Sequence, residues 1–369
     1  MKFTVLETGG ADGGRWRALV ERLEPRWRDL HYLPEYASIY ERAYGYRARL
    51  AWFGDDDQYV IQPFAVRPLD GLPFLAAAGV KGRYFDIASI YGYGGPAWRA
   101  PSPAAADELF DGFDRDFTEY CRIEKFASEF CCLHPILENQ TIVARAASIE
   151  PRFEKPIVAI DLSPGEEVLW RNLSKGHRSG ISKARRSGVK ISQVPVDARN
   201  LAVFSRLYFA TMDRHHAEQK WYFRDTHFTD CVDSLTPHRV ALFFAEADGG
   251  VAAAGLVLHD ENTAYYHYAG SDERYFSLRP TNCLVYETML WAKRAGKLCY
   301  HLGGGLTDAT NDMLPLFKTG FGPDTKPLYV YGRVHDDSVY KTLCDLKRAH
   351  ETTAGSAVTN PDYFPFYRR

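Results

Sequence analysis

Apolar residues along this chain switch between two periods, and the switches mark out its elements. Leu19, Leu23 and Trp27 recur at four-residue steps, and after Pro34 the pattern resumes at Tyr36, Ile39, Tyr40 and Ala43, so 15–45 reads as helical with one break. Strand-like runs follow. Residues 47–53 and 58–66 predict a hairpin across Asp55-Asp56-Asp57, feeding a third strand near 85–90. Pro101-Ser-Pro opens a helix to about Arg122, and 126–133 returns as a strand, which completes a β-α-β element.

A second, similar series begins near residue 157. Residues 157–162 predict a strand, 164–187 a helical region, and 201–216 a helix with Phe204, Leu207, Tyr208 and Met212 on one side. Three strands at 239–247, 250–259 and 263–270 are joined by Asp248-Gly249 and Asp260-Glu261-Asn262, both good hairpin turns. A helix over 281–295 ends at Gly296, and 298–302 is a strand. Two hairpin-then-helix-then-strand series predict a duplicated α/β fold (α+β mixed sheets) in two domains, 1–155 and 156–369.

Composition narrows this picture. A length of 369 residues suits two hydrophobic cores. The net charge of −2 argues against a broad basic face coating nucleic acid, so any RNA contact must be local. The seven cysteines are odd in number, and adjacent Cys131-Cys132 suits neither a zinc knuckle nor an ordinary disulfide; reduced thiols and no metal or cofactor are expected. No apolar run is long enough to span a bilayer, and the first ten residues turn polar too early for a signal peptide. The expectation is a cytoplasmic monomer without membrane insertion.

The chemistry concentrates in 300–322. Consecutive Gly303, Gly304 and Gly305 let another molecule approach the bare main chain and let it take positive φ. Leu314, Phe317 and Phe321 then recur at three- and four-residue spacing, with Lys318 beside them. A second concentration is 171–190, which carries seven lysine and arginine residues and no carboxylate, a local field suited to phosphates. A third is Tyr266-His267-Tyr268, where strict alternation puts His267 on one face of a strand and both tyrosines on the other. It leads to Arg279-Pro280-Thr281-Asn282 at a helix start, where unpaired N–H groups and the helix dipole favour an anion. His215-His216 are consecutive in a helix and do not face one another, so they are not read as a metal pair. No Ser-His-Asp or Cys-His nucleophile set is evident, which fits direct transfer.

His301-Leu302-Gly303-Gly304-Gly305, followed by Leu316-Phe317-Lys318-Thr319-Gly320-Phe321-Gly322, resembles the closing signature of the FemAB-like branch of the acetyltransferase (GNAT) superfamily. The spacing Arg178-x-x-Ile181-x-Lys183-Ala184-x-x-x-Gly188-Val189 resembles the basic helix preceding the second GNAT unit of those enzymes, and Tyr91-Gly92-Tyr93-Gly94-Gly95-Pro96 is similar to their acceptor-bordering loop. The resemblance implies tandem GNAT-like domains and an N-acyltransferase forming an amide. It implies Lys318 meeting developing charge, with Phe317 supporting it. Asp308 and Asp312 are candidates to take the proton by their proximity in sequence, with a group on the donor itself as the alternative. Arg178, Lys183, Arg279, Asn282 and Gly303–Gly305 are candidates for the donor, and Tyr91, Tyr93, Tyr266, His267 and Tyr268 for the acceptor.

Enzymes using acetyl-CoA carry a glycine turn for the pyrophosphate, whereas this chain has Tyr275–Asn282 without glycine. The acceptor end of aminoacyl-tRNA is therefore the expected donor, with acyl-CoA the alternative; an amine-bearing small molecule or peptide is the acceptor. A different class of reading is a non-catalytic GNAT module that holds a peptide or RNA end.

Overall fold

The computed structural model describes residues 1–80, 82, 84–235, 239–305, 313–354, 360 and 362–369, and the chain divides into one unit of 1–154 with 328–369 and another of 155–327. The first unit opens with β1 (Lys2–Glu7), α1 (Gly10–Arg22) and α2 (Pro34–Tyr44). The helix expected over 15–45 is thus two helices. Pro25 and Pro34 each start a new turn, and Asp29 accepts from the His31 N–H between them. β2 (Arg47–Gly54) and β3 (Tyr59–Pro68) pair antiparallel with Gly54 opposite Tyr59, the predicted hairpin. After α3 (Pro73–Ala77) come β4 (Phe85–Ala88), β5 (Ala97–Arg99), α4 (Pro103–Ile123), β6 (Phe126–Cys132) and α5 (Gln140–Val143). Ser102 caps α4 by accepting from Ala105 N–H, and Leu109, Phe110, Phe113 and Phe117 bury one face of it. β4 and β6 run parallel on either side of α4 in sequence, as the β-α-β reading requires.

The second unit contains β7 (Arg152–Asp161), α6 (Glu166–Asn172), α7 (Lys175–Arg186), β8 (Lys190–Val194), α8 (Ala198–Arg214) and α9 (His227–Leu235). It continues with β9 (Val240–Ala247), β10 (Gly250–His259), β11 (Thr263–Ser271), α10 (Pro280–Arg294), β12 (Cys299–Gly303) and α11 (Met313–Thr319). The helical stretch expected over 164–187 is broken at Leu173-Ser174, where Ser174 starts α7 by accepting from His177 N–H. β13 (Thr325–Val334) and α12 (Asp337–Ala354) close the chain.

Strand order shows the duplication directly. The first unit runs β1-β2-β3-β4-β6-β13, with β5 also on β3; the second runs β8-β9-β10-β11-β12-β7. In both, antiparallel strands lead to one parallel pair, β4 with β6 and β11 with β12, and a sixth antiparallel strand follows. The sixth strand of the second unit precedes it in sequence, as β7. That of the first unit is β13, more than 150 residues after α5. The expected domain 156–369 therefore needs correction at its end, since 328–369 packs with the first unit.

Buried charges account for this. Arg333 on β13 donates to Glu129 on β6 at 2.8 and 3.1 Å and to Asp114 on α4, while Tyr331 donates to Glu129 at 2.6 Å. Near the C-terminus, Arg368 and Arg67 both hold buried Asp86, at 2.7 and 2.9 Å. Removing one partner of such a buried pair strands the other and costs about 3–5 kcal/mol. All seven cysteines are free, and burial pushes the Cys121 and Cys131 thiols up, away from reactivity. No helix among the described residues is long and apolar enough to cross a membrane.

Candidate active site

Where β11 and β12 meet, their pairing is short. They are parallel over Thr263–Tyr265 against Cys299–His301, after which β11 runs on to Ser271. Within that extension Leu256 of β10 faces Tyr268 while Val257 faces Tyr266, so His267 is an extra residue in a β-bulge. The bulge changes which way side chains point. Tyr266 packs with the core under α10, and Tyr268 lies on the opposite face, its hydroxyl 2.9 Å from His227 Nε2 on α9 and its ring 5.8 Å from Tyr208 on α8. The expected alternation, with both tyrosines on one face, is therefore corrected. The Tyr266 hydroxyl is buried without a hydrogen-bond partner among the described residues, and burial pushes its pKa up. His267 is half-buried, its ring edge-on to Tyr268 at 4.4 Å.

β12 ends in a second irregularity. His301 faces Ala159 of β7 and Gly303 faces Val158, leaving Leu302 extra just before the glycines. Gly303 takes φ +75°, the left-handed region that glycine enters without strain. Two lysines then hold the bare loop. Lys318 Nζ on α11 donates to the Gly304 carbonyl at 2.6 Å, and Lys155 Nζ on β7 donates to the Gly305 carbonyl at 3.2 Å. Ordering three residues costs on the order of 3–6 kcal/mol of backbone entropy. Two hydrogen bonds from charged donors contribute about 3–6 kcal/mol, so the pair offsets a cost that one would leave half met. Lys155 was not foreseen from the sequence.

Phe317 turns away from this loop into an aromatic group, 5.3 Å from the His177 ring and 5.2 Å from Phe321. His177 sits in the first turn of α7, its Nδ1 2.9 Å from Ser174 Oγ, and stands edge-on to Phe321 at 4.4 Å. Burial pushes its imidazole pKa down, opposed by the Phe317 backbone. Ser174 N–H donates to the Gly320 carbonyl at 2.9 Å. The start of α7 is thus fastened to the segment that carries Lys318.

The other donor candidates gather on a helix pair. Gly180 of α7 packs against the Asn282 side chain of α10, and Arg185 of α7 donates to Glu287 of α10 at 2.6 Å. Contacts rising together in sequence make the helices parallel, so both positive dipole ends lie at one end of the pair. Arg279 precedes α10 in a left-handed conformation, φ +59°, followed by Pro280. Arg178 is otherwise engaged: its guanidinium donates to the carbonyls of Arg171 and Leu173, closing the end of α6. Lys183 is exposed, as are Arg171, Lys175 and Arg186. Asp308 and Asp312 lie outside the described residues.

Tyr91 and Tyr93 belong to the first unit, in a loop that is held from beneath. Tyr36 donates to the Tyr91 carbonyl at 3.0 Å, and Asn139 donates to the carbonyls of Gly94 and Pro96 at 2.9 and 3.1 Å. Tyr91 stacks on Tyr40 at 4.5 Å. Beside them Asp29, His31 and His134 are buried with their ligand-type atoms within 4.8 Å of one another, the arrangement a metal ion would need. Hydrogen bonding assigns them differently. His134 Nδ1 accepts from Ile136 and Leu137 N–H, so Nε2 carries the proton and donates to Asp29 at 3.1 Å; a metal at Nε2 needs the reverse tautomer. Burial would raise the Asp29 carboxyl, yet His134 and His31 hold it well below its usual value.

Residues 171–309 match the family described as Acetyltransferase (GNAT) domain, which covers α7 through the triglycine loop. In the solved structure of FemX the same fold spans 93% of this chain and 99% of that one, with a TM-score of 0.69 at 15% identity. The C-terminal domain of a putative lysylphosphatidylglycerol synthetase from Agrobacterium fabrum follows at 0.53 and 13%, over 93% and 95% of the two chains. The fold is that of these two solved structures, and the stretch 171–309 is similar to a GNAT domain. Over 201 residues the chain is 26% identical to a UDP-N-acetylmuramoylpentapeptide-lysine N(6)-alanyltransferase of Weissella viridescens, covering 53% of this chain and 57% of the relative. The chain is thus similar to FemX-type proteins in fold and, over about half its length, to that alanyltransferase in sequence.

Proposed function

We propose that this protein is an N-acyltransferase that moves an aminoacyl group from the acceptor end of aminoacyl-tRNA to an amine. The observation that carries the reading is the Lys318 ammonium, 2.6 Å from the Gly304 carbonyl where β12 gives way to bare backbone. In the reaction the amine nitrogen attacks the ester carbonyl, and a C–N bond forms as negative charge gathers on the carbonyl oxygen. An ammonium has three donors, and Lys318 can turn one to that oxyanion. Collapse breaks the C–O ester bond, and the proton lost by the amine ends on the departing ribose hydroxyl. Gly303–Gly305 let the ester come close to the main chain, and binding holds the two reactants in line. The exposed lysines and arginines of α7 support a phosphate-bearing donor. The absence of glycine from Tyr275–Asn282 disfavours a CoA pyrophosphate.

For the acceptor, the Weissella relative's name points to a lysine side-chain amine on a nucleotide-linked peptide. The fastened loop at Tyr91 and Tyr93 suits an extended acceptor of that kind. We place the protein in the cytoplasm, where charged tRNA is found. Purified protein incubated with alanyl-tRNA and a lysine-bearing peptide should form an amide detectable by mass spectrometry. RNase should abolish it. Product that persists under RNase and depends on acyl-CoA would instead establish the CoA reading. Lys318→Met should lower kcat by about 10²–10³-fold with KM for the donor nearly unchanged, as loss of an oxyanion donor does; an unchanged kcat removes Lys318 from the mechanism and favours a module that only binds.

A further inference from the structure

We infer that Lys155 is a positioning residue, the second half of a two-lysine clamp that sets the peptide planes of the triglycine loop for the transfer step. This rests on the transferase reading above. Lys155 lies on β7, where the antiparallel register with β12 carries it past the end of the paired strands to the loop. Its ammonium reaches the Gly305 carbonyl at 3.2 Å, and it has no ion pair among the described residues. Its stem does separate work. A Cβ built on Gly304 would lie 3.5 Å from Lys155 Cδ and Cε and 2.9 Å from Ile157 Cδ1, so β7 side chains floor the loop while the ammonium ties its far end.

The two lysines act on consecutive carbonyls from different elements. Lys318 comes from α11 and Lys155 from β7, and each fixes one peptide plane. In a trans peptide the N–H points opposite to the preceding C=O. Tying the Gly304 carbonyl to Lys318 therefore turns the Gly305 N–H away from the ammonium, and tying the Gly305 carbonyl stops that plane from rocking back. Without the second tie, Lys318 would hold one plane of a chain of glycines whose next dihedrals are soft. Lys318 would keep its charge and lose its aim.

Lys155→Met keeps the stem over Gly304 and removes the donor, and Lys155→Arg restores a donor. Millisecond hydrogen exchange on peptides covering 300–306 reads the clamp with no substrate present. In Lys155→Met exchange should rise about tenfold, as for a locally freed segment, and in Lys155→Arg it should stay near wild type. With charged tRNA and acceptor, Lys155→Met should lower kcat by about 10–100-fold and leave donor KM within about threefold, because misplacement of a reacting group weakens the step rather than the binding. Combined with Lys318→Met it should add little further loss, since both act on one loop.

Unchanged exchange in Lys155→Met overturns the clamp whatever the kinetics. Raised exchange with unchanged kcat, or kinetic loss fully additive with Lys318→Met, overturns the positioning role. If wild-type protein transfers nothing from any donor, the transferase reading and the positioning role fall together, and the exchange data alone decide the clamp.

Discussion

Single residues decide whether this site is rigid, and Gly320 tests that most sharply. A Cβ there would lie 2.2–2.8 Å from His177 ring atoms, and that ring is held by Ser174 and enclosed by Phe317 and Phe321. Gly320→Ala should destabilise the second unit by about 1–3 kcal/mol, the usual range for overpacking, seen as a lower thermal midpoint. Adding His177→Ala should recover most of it; a double variant no better than the single one removes the collision as the cause. Residues of this kind were unevenly legible in the sequence. Lys318 and the glycines stand in one short motif and could be read together. Lys155 makes its contact across a separation of 150 residues, to a backbone carbonyl, and no periodicity marks such a contact. Strict alternation puts Tyr266 and Tyr268 on one face, whereas one extra residue at His267 reverses it, and a bulge leaves no local signature.

At the scale of elements, α7 and α10 pack as a pair, and the proposed donor side is tested there. Their parallel packing is set by Gly180 against Asn282 and by Arg185, which bonds Glu287 and lies over the Trp170 and Tyr286 rings at 5.6 and 5.4 Å. That leaves Lys183 and Arg186 exposed for an anionic partner. If both touch RNA phosphates, Lys183→Gln with Arg186→Gln should reduce the slope of log binding constant against log salt by about 1.4, at roughly 0.7 per phosphate contact on single strands. Fluorescence titration at several salt concentrations measures it, and an unchanged slope puts the donor elsewhere. The run of charge was plain in the sequence, but the division of labour within it was not. Arg178 serves the end of α6 and Arg185 the seam with α10, because a helix turns successive residues to different neighbours. Only the packed structure says which charges remain outside.

For the whole molecule, acid is the discriminating stress, and its effect falls on the first unit. Asp86, Asp29 and Glu129 are all buried there; burial alone would raise them, yet Arg67 and Arg368, the two imidazoles, and Arg333 respectively hold each carboxyl below its ordinary value. Groups depressed in the folded state stabilise it above their unfolded pKa, and that contribution drains away as pH falls through the folded values. His31, pushed down from 6.5 by burial, adds in the same direction, since the unfolded imidazole takes a proton first. The first unit should therefore weaken from about pH 6 and fail steeply below about pH 4, whereas Arg333→Met should already be less stable at neutral pH. Near-UV circular dichroism against pH follows this, and a flat response from pH 7 to 3 removes these groups as the cause. The duplication was legible because each series repeats its own order of hairpin, helix and strand. What was hidden is the source of the sixth strand, since β13 and β7 are partnered by register rather than by neighbourhood. That has a consequence during synthesis. A chain emerging from the ribosome presents residues 1–154 first, but β1 to β6 wait for a partner translated only after the whole of 155–327. The unit made first is thus the last that can finish, and until then the open side of β6 is the edge most exposed to wrong pairing.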